Sequence, residues 1–296
     1  PVVCREYDHG HDVMNLGRSM SSRLLDFISV GQAMLTSSKN LGVSYFSELN
    51  ALDYCTAPAT TSLSYCHNAL QSLVRIMRNE GGLKDFSARD CDVFGPEKNV
   101  IKCLDQVDPL LRANTVFSLR VKSRCAQNNS NFEWLKSYGR STLAVAGGLG
   151  ILGSLVAQWS SHFLASGLVL LGRTGKSGTR SSSILSSLLH GNGHCTTVQY
   201  LSVDVASTES VSALQRHMMD FATLKQILCH CTGQMQDALF TNIIAKHVRQ
   251  IMSTKLDAIN LLHESFSDTF LSMEVGFGSA VSIVGSPGQG TYSMSN

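Results

Sequence analysis

Gly148, Gly150 and Gly153, preceded by Gly147, follow the apolar run Thr142 to Ala146 and open an apolar stretch reaching about Leu164. A G-x-G-x-x-G spacing between a strand and a helix lets bare backbone approach a pyrophosphate. The helix N-terminus adds N–H donors and a dipole that favours negative charge. A glycine-rich turn that only packs a helix on a sheet would use the same residues. The next apolar run ends in Leu170-Leu171-Gly172-Arg173. In a dinucleotide fold this strand end faces the adenosine ribose, where an acidic residue suits a free 2′-hydroxyl and an Arg suits a 2′-phosphate. Arg173 therefore points to NADPH over NADH, against the plainer reading of a solvated loop Arg. Asp204 ends the third run and has two open readings, the adenine edge or a helix N-cap. Cys229-His230-Cys231 and His194-Cys195 offer metal-ligating types, but Cys229 and Cys231 alternate with His230 on a predicted strand and lack C-x-x-C spacing. No metal site is expected.

These residues need elements to hold them. The second half alternates strand and helix. Strands are predicted at 142–146, 167–171, 198–203 and 226–231, with helical spacing at 210–221 and 242–263. Such alternation implies a parallel sheet covered on both faces. Ser141 to Gly172 contains no Asp, Glu, Lys or Arg. Its clustered glycines and the interruption at Ser160-Ser161-His162 favour a buried βαβ unit over a membrane span. The first half is less legible. Met14–Leu35 and Ala69–Met77 carry helical spacing, Asn79-Glu80-Gly81-Gly82 reads as a helix end, and 127–131 reads as a loop. No catalytic constellation stands out there.

The chain of 296 residues is 43% hydrophobic and 16% charged with a net charge of +2, enough apolar material for a sizeable core. No Lys/Arg-rich run suggests a nucleic-acid partner. Nine irregularly spaced cysteines argue against a disulfide framework and for a reducing, cytoplasmic setting. No signal peptide is visible, and the start at Pro1 suggests a piece of a longer protein.

Further on, Phe277-Gly278-Ser279-Ala280-Val281, Gly285-Ser286-Pro287-Gly288-Gln289-Gly290-Thr291-Tyr292 and Asn296 resemble the active-site signature of ketoreductase domains. These domains occur in modular polyketide synthases and animal-type fatty acid synthases, within the short-chain dehydrogenase/reductase superfamily. Most of that superfamily has Lys four residues after the Tyr and an Asn on an earlier helix. The synthase ketoreductases exchange the two, as do Asn296 and Lys255 here. The resemblance covers about half the chain. It implies a Rossmann-like doubly wound parallel sheet and NADPH-dependent reduction of a β-ketoacyl thioester held on the phosphopantetheine of an acyl carrier protein, beside other synthase domains.

The resemblance also implies roles. Hydride transfer to a ketone leaves negative charge on oxygen, which needs a donor and a proton. Tyr292 would be the proton donor and Ser279 would hydrogen-bond the carbonyl. Lys255 would orient the cofactor ribose and favour the Tyr292 phenolate. Asn296 would complete the proton-relay network. Gly233, in His230-Cys231-Thr232-Gly233, would line the cofactor pocket. Asp237 and Pro287 match positions of the B-type subclass on the substrate side, and Val284 stands where the A type has Trp. A D-configured β-hydroxyacyl product is implied.

Some features depart from the family. Ala146 replaces the usual Thr before Gly147-Gly148. The chain stops within the first turns of the helix carrying Tyr292, so the resemblance implies a C-terminally incomplete domain with an open pocket and an unpaired strand edge. Residues 1–138 occupy the place of a non-catalytic structural subdomain, and 139–296 that of the catalytic one. Two rival readings are a degenerate, non-catalytic cofactor-binding or scaffold domain and a free-standing short-chain carbonyl reductase.

Overall fold

The structure, a computed structural model, describes residues 24–33, 44–47, 61–81, 87–91, 109–112, 115–118, 141–163, 165–175, 177–190, 197–220, 225–266 and 271–296. The boundary expected at 138/139, the loop at 127–131 and His194-Cys195 lie outside them. The chain forms two compact units, neither continuous in sequence. One comprises Pro1–Arg124, Met235–Met252 and Gly278–Asn296, the other Cys125–Gln234 and Ser253–Phe277.

In chain order the first unit begins with helix α1 (24–33), β1 (Ser44–Ser47), α2 (Thr61–Gly81), β2 (Ser87–Cys91), β3 (Pro109–Arg112) and β4 (Thr115–Ser118). The strands form one sheet in that order, with β1-β2 and β2-β3 parallel and β3-β4 antiparallel. The apolar spacing expected over Ala69–Met77 extends to a 21-residue helix. Leu70, Leu73, Val74, Ile76 and Met77 are buried along it.

The second unit begins with β5 (Ser141–Ala146), α3 (Ile151–Phe163), β6 (Ala165–Gly172), α4 (Thr179–His190), β7 (Thr197–Ser202), α5 (Thr208–Asp220) and β8 (Lys225–His230). The chain then passes through the first unit, which receives a 3-10 turn (Phe240–Asn242) and α6 (Ala245–Met252). It returns for a π-helical turn (Ser253–Asp257), α7 (Ala258–Phe266) and β9 (Leu271–Gly276). Two short helices end the described chain in the first unit, α8 (Val281–Val284) and α9 (Gly290–Met294).

All neighbouring strands in the order β7-β6-β5-β8-β9 pair parallel, as in a Rossmann-like doubly wound sheet. Alternation along the strands feeds two cores. Ala144, Ala146, Val169, Leu171 and Leu228 face Val211 and Leu214 of α5 and Leu262 of α7. Leu143, Val145, Leu168, Leu170 and Ile227 face Ala157 of α3 and Leu185 of α4. That two-sided burial explains why Leu143–Ala146 of β5 and Leu168–Leu171 of β6 read as continuous apolar runs.

Three elements differ from expectation. The helix expected over 242–263 is broken into a 3-10 turn, α6, the π turn and α7. Positions 251 and 255 would share a face in a regular helix. The wider π turn shifts the phase, so burial moves from Ile251 and Met252 to Ala258 and Leu262, leaving Lys255 in the wide turn. The helix α4 and strand β9 were not expected, although Ile184, Leu185, Leu188 and Leu189 have helical spacing and Leu271, Met273 and Val275 alternate with Ser272 and Glu274. Among the described residues no helix is long and apolar enough to cross a membrane.

Candidate active site

In the second unit, the C-terminal ends of β5, β6 and β8 and the turns after them line a cavity. Gly147, Gly150, Arg173, Asp204, Gly233 and Thr254 all border it. The ends of β5 and β8 are flush, since the Cys231 N–H donates to Ala146 O at 2.8 Å. Gly147 has φ of 76°, and a Cβ there would lie 3.0 Å from Cys231 C and O and from Thr232 N. Both facts demand glycine. Gly148 and Gly153 do not line the cavity. A Cβ on Gly148 would come within 2.8 Å of Val145 O, and one on Gly153 would collide with Gly147 O. Two glycines thus shape the cavity and two seat α3 against the turn. The first amides of α3 have no intrahelical acceptor and adjoin Gly150 at the cavity, a cradle suited to a diphosphate.

Arg173 is exposed in the turn after β6, where Ser202 Oγ donates to its carbonyl at 2.9 Å. Asp204 Oδ1 accepts from Ala206 N at 3.1 Å, an Asx turn. The helix α5 is capped instead by Ser207, whose Oγ accepts from Ser210 N at 3.3 Å. This removes the N-cap reading of Asp204 and leaves it on the cavity wall.

Lys255 is held by main chain: Nζ donates to Phe277 O at 2.8 Å. Phe277 N in turn donates to His230 O. Thr232 Oγ donates to Thr254 O at 2.8 Å and therefore takes its second bond, 2.9 Å, from His230 Nε2 as donor. The turn carrying Lys255 is thus tied to the ends of β8 and β9. Burial pulls the Lys255 ammonium down to about 8, opposed by Cys231. Burial, helped by the Lys255 charge, pulls His230 down to about 4. His230 is neutral at pH 7.

A depressed His pKa means that the unfolded chain binds the extra proton between about 4 and 6.5, so folding stability from this group rises with pH across that window. A His230→Asn variant is expected to lose that part of the acid limb. Urea unfolding at pH 4.5 and 7 in both proteins measures it. The Cys229 and Cys231 sulfurs lie 3.7 Å apart as free thiols. Their hydrogen bond favours one thiolate at Cys229 and strongly disfavours a second at Cys231. Among the described residues no group of three or more His, Cys, Asp or Glu could hold a metal ion.

The other expected residues lie in the first unit. Ser279 Oγ accepts from Val281 N at 3.3 Å, and its carbonyl accepts from Ser282 Oγ. Tyr292 is half-buried in α9. Asn296 Nδ2 donates to Tyr292 O at 2.7 Å, one turn back, so the two residues form one local structure. Asp237 and Pro287 are exposed on adjacent segments. Ala238 N donates to Gly288 O at 2.8 Å, and Thr291 Oγ donates to Gln236 O at 2.8 Å. Lys255, by contrast, belongs to the second unit.

Sequence reading missed the contribution of α2. Ser72 Oγ and Arg75 Nη1 both donate to Ser282 O, at 2.8 and 3.2 Å. Glu80 accepts from Phe240 N and from Gly288 N, at 2.5 and 2.7 Å. Gln32 of α1 donates to the carbonyls of Phe240, Thr241 and Ile243. The available signal was Gln71, Ser72 and Arg75 within an otherwise apolar, buried stretch.

Comparisons with known proteins bear on the family and the fold. The chain is 31% identical over 161 residues to a phenolphthiocerol synthesis polyketide synthase type I of Mycobacterium marinum, covering 53% of this chain and 7% of that protein. It is 31% identical over 157 residues to an erythronolide synthase of Saccharopolyspora erythraea, covering 52% of this chain and 4% of that protein. The chain therefore spans less than a tenth of either relative. Among solved structures, an A-type ketoreductase from a modular polyketide synthase superposes with a TM-score of 0.76 at 21% identity, covering 92% of this chain and 58% of that one. A ketoreductase domain from the bacillaene assembly line gives 0.74 at 16%, covering 98% and 66%. These two likenesses concern the fold. The family model for the KR domain matches residues 141–296, from the first residue of β5 through Tyr292 and Asn296, and the chain belongs to the ketoreductase domain family of polyketide synthases.

Proposed function

We propose that this chain reduces a β-ketoacyl thioester, carried on the phosphopantetheine of an acyl carrier protein, to the β-hydroxyacyl thioester with NADPH, within a multidomain polyketide synthase. The observation that carries the reading is the cavity bordered by Gly147, Gly150, Arg173, Asp204, Gly233 and Thr254, with the half-buried Lys255 following Thr254 in the chain. NADPH, when bound, supplies a hydride, and the chain's residues do the rest. The α3 N-terminus and the Gly147–Gly150 backbone hold the diphosphate, and Arg173 meets the 2′-phosphate. Asp204 meets the adenine edge, and Lys255 donates to ribose hydroxyls. Tyr292 protonates the developing alkoxide, Ser279 donates to the same oxygen, and Asn296 holds the relay. Asp237 and Pro287 support a B-type outcome with a D-configured product. In this reading residues 1–138 serve as a non-catalytic structural part and 139–296 as the reducing part. The four-stranded sheet β1–β4 and the bonds from α2 support that division of labour.

Arg173 gives the cofactor test. Hydrogen bonds to a charged group contribute about 1.5–3 kcal/mol each. Arg173→Ala should therefore weaken NADPH binding about ten- to a hundredfold and leave NADH binding unchanged. Calorimetric titration of both cofactors reads this directly. Equal affinity of the unaltered chain for NADPH and NADH would overturn the 2′-phosphate assignment.

A further inference from the structure

Glu80 lies one residue from the end of α2, where the negative end of the helix dipole disfavours a carboxylate. Its position is poor for the helix itself, yet both of its oxygens are engaged. Oε2 accepts from the amide of Phe240, which opens the 3-10 turn after the Asp237 segment, at 2.5 Å. Oε1 accepts from the amide of Gly288 at 2.7 Å, next to Pro287 and two residues before α9 with its Tyr292. One carboxylate thus joins two segments distant in sequence. The same 3-10 turn has its carbonyls taken by Gln32, so its donor and acceptor ends are held by two different N-terminal helices. Further back along α2, Ser72 and Arg75 grip the carbonyl of Ser282, three residues past Ser279.

We propose that Glu80 is a positioning residue that sets facial selectivity: its carboxylate clamps the Asp237 segment to the Pro287-Gly288 loop and so fixes the substrate-side wall before Tyr292. The facial part rests on the reduction proposed above. The geometry suits a carboxylate, since the two amides, on separate segments, each meet their own oxygen of one rigid group. A carboxamide of the same size offers one acceptor, and an alanine offers none. The two segments keep their direct bonds, Ala238 N to Gly288 O and Thr291 Oγ to Gln236 O, so losing the clamp loosens the wall without dismantling it.

The test compares the full chain with Glu80→Gln and Glu80→Ala by amide hydrogen exchange, chiral analysis of the alcohol formed from a β-ketoacyl thioester surrogate, and NADPH affinity. Charge-assisted hydrogen bonds contribute enough that exchange at Phe240 and Gly288 should accelerate about ten- to a hundredfold in Glu80→Ala. In Glu80→Gln one of the two amides should accelerate and the other should stay protected. The share of the minor enantiomer should rise in the order unaltered chain, Glu80→Gln, Glu80→Ala, with NADPH affinity unchanged. Unaltered exchange at both amides overturns the clamp. Accelerated exchange with an unaltered enantiomer ratio and only a lower Tm reduces Glu80 to a structural residue and overturns its role in selectivity. If the unaltered chain makes no alcohol, the proposed reduction and the facial role fail together, while the exchange pattern still decides the clamp.

Discussion

Tyr292→Phe is expected to lower turnover of a β-ketoacyl thioester, in the proposed reduction, about 10²–10⁴-fold, the range lost when a positioned general acid is removed. The substitution removes one hydroxyl from a half-buried side chain and leaves the backbone of α9 intact, including the Tyr292 carbonyl that accepts from Asn296 Nδ2. The fold and the Asn296 contact should therefore persist. NADPH affinity should not change, because in the proposed reduction the phenol acts on the substrate oxygen and not on the cofactor. The expected signature is a fall in kcat with unchanged cofactor binding and unchanged Tm. Stopped-flow NADPH oxidation with calorimetry on the same samples reads all three. A variant with near-normal kcat would remove Tyr292 from the chemistry.

In the proposed reduction Lys255→Met should lower turnover about 10²–10³-fold, as expected for loss of a preorganised donor, and should weaken NADPH binding. Its effect on stability has a different shape. The folded ammonium titrates near 8, against 10.5 for an unburied lysine, because burial disfavours its charge. Between those two values the unfolded chain binds more protons than the folded one, so the stability of the unaltered chain rises with pH from about 8 to 10.5. The methionine variant lacks that rise. At pH 7 two effects oppose each other: removing a partly buried charge helps, and leaving Phe277 O without its donor costs about 1–3 kcal/mol. Tm at pH 7 should change little, and the variant's Tm difference from the unaltered chain should depend on pH. The same titration predicts that turnover of the unaltered chain falls as pH rises through about 8, as the donor form of Lys255 is lost. A pH–rate profile that stays flat from 7 to 9.5 would separate Lys255 from the reaction.

The parallel sheet and its nucleotide end were legible because burial on both faces leaves a plain mark: Leu143–Ala146 of β5 and Leu168–Leu171 of β6 are apolar runs, and glycines fall where β5 turns into α3. Gly147 shows the limit. Its necessity comes from the approach of Cys231 and Thr232, some 85 residues later, which spacing alone does not reveal. The π turn around Lys255 was illegible because Ser253-Thr254-Lys255-Leu256-Asp257 is compatible with a regular helix, and the bonds that fix the turn come from Thr232 and Phe277. Asp204 was ambiguous for a local reason: both Asp204 and Ser207 are good cap residues, and only the hydrogen bond to Ser210 N decides between them. The contribution of α2 escaped notice because Ser72, Arg75 and Glu80 bond to main-chain groups more than 150 residues away, and main-chain groups carry no sequence signal.

The most direct test of the proposed reduction follows the hydride itself. The chain is incubated with a β-ketoacyl thioester surrogate and NADPH deuterated at C4, prepared separately as each of its two stereoisomers, and the product is analysed by mass spectrometry. The proposed reduction predicts one deuterium on the carbinol carbon of a β-hydroxyacyl product, from one of the two isomers. Absence of a hydroxyacyl product, or a product that carries no deuterium from either isomer, would contradict it.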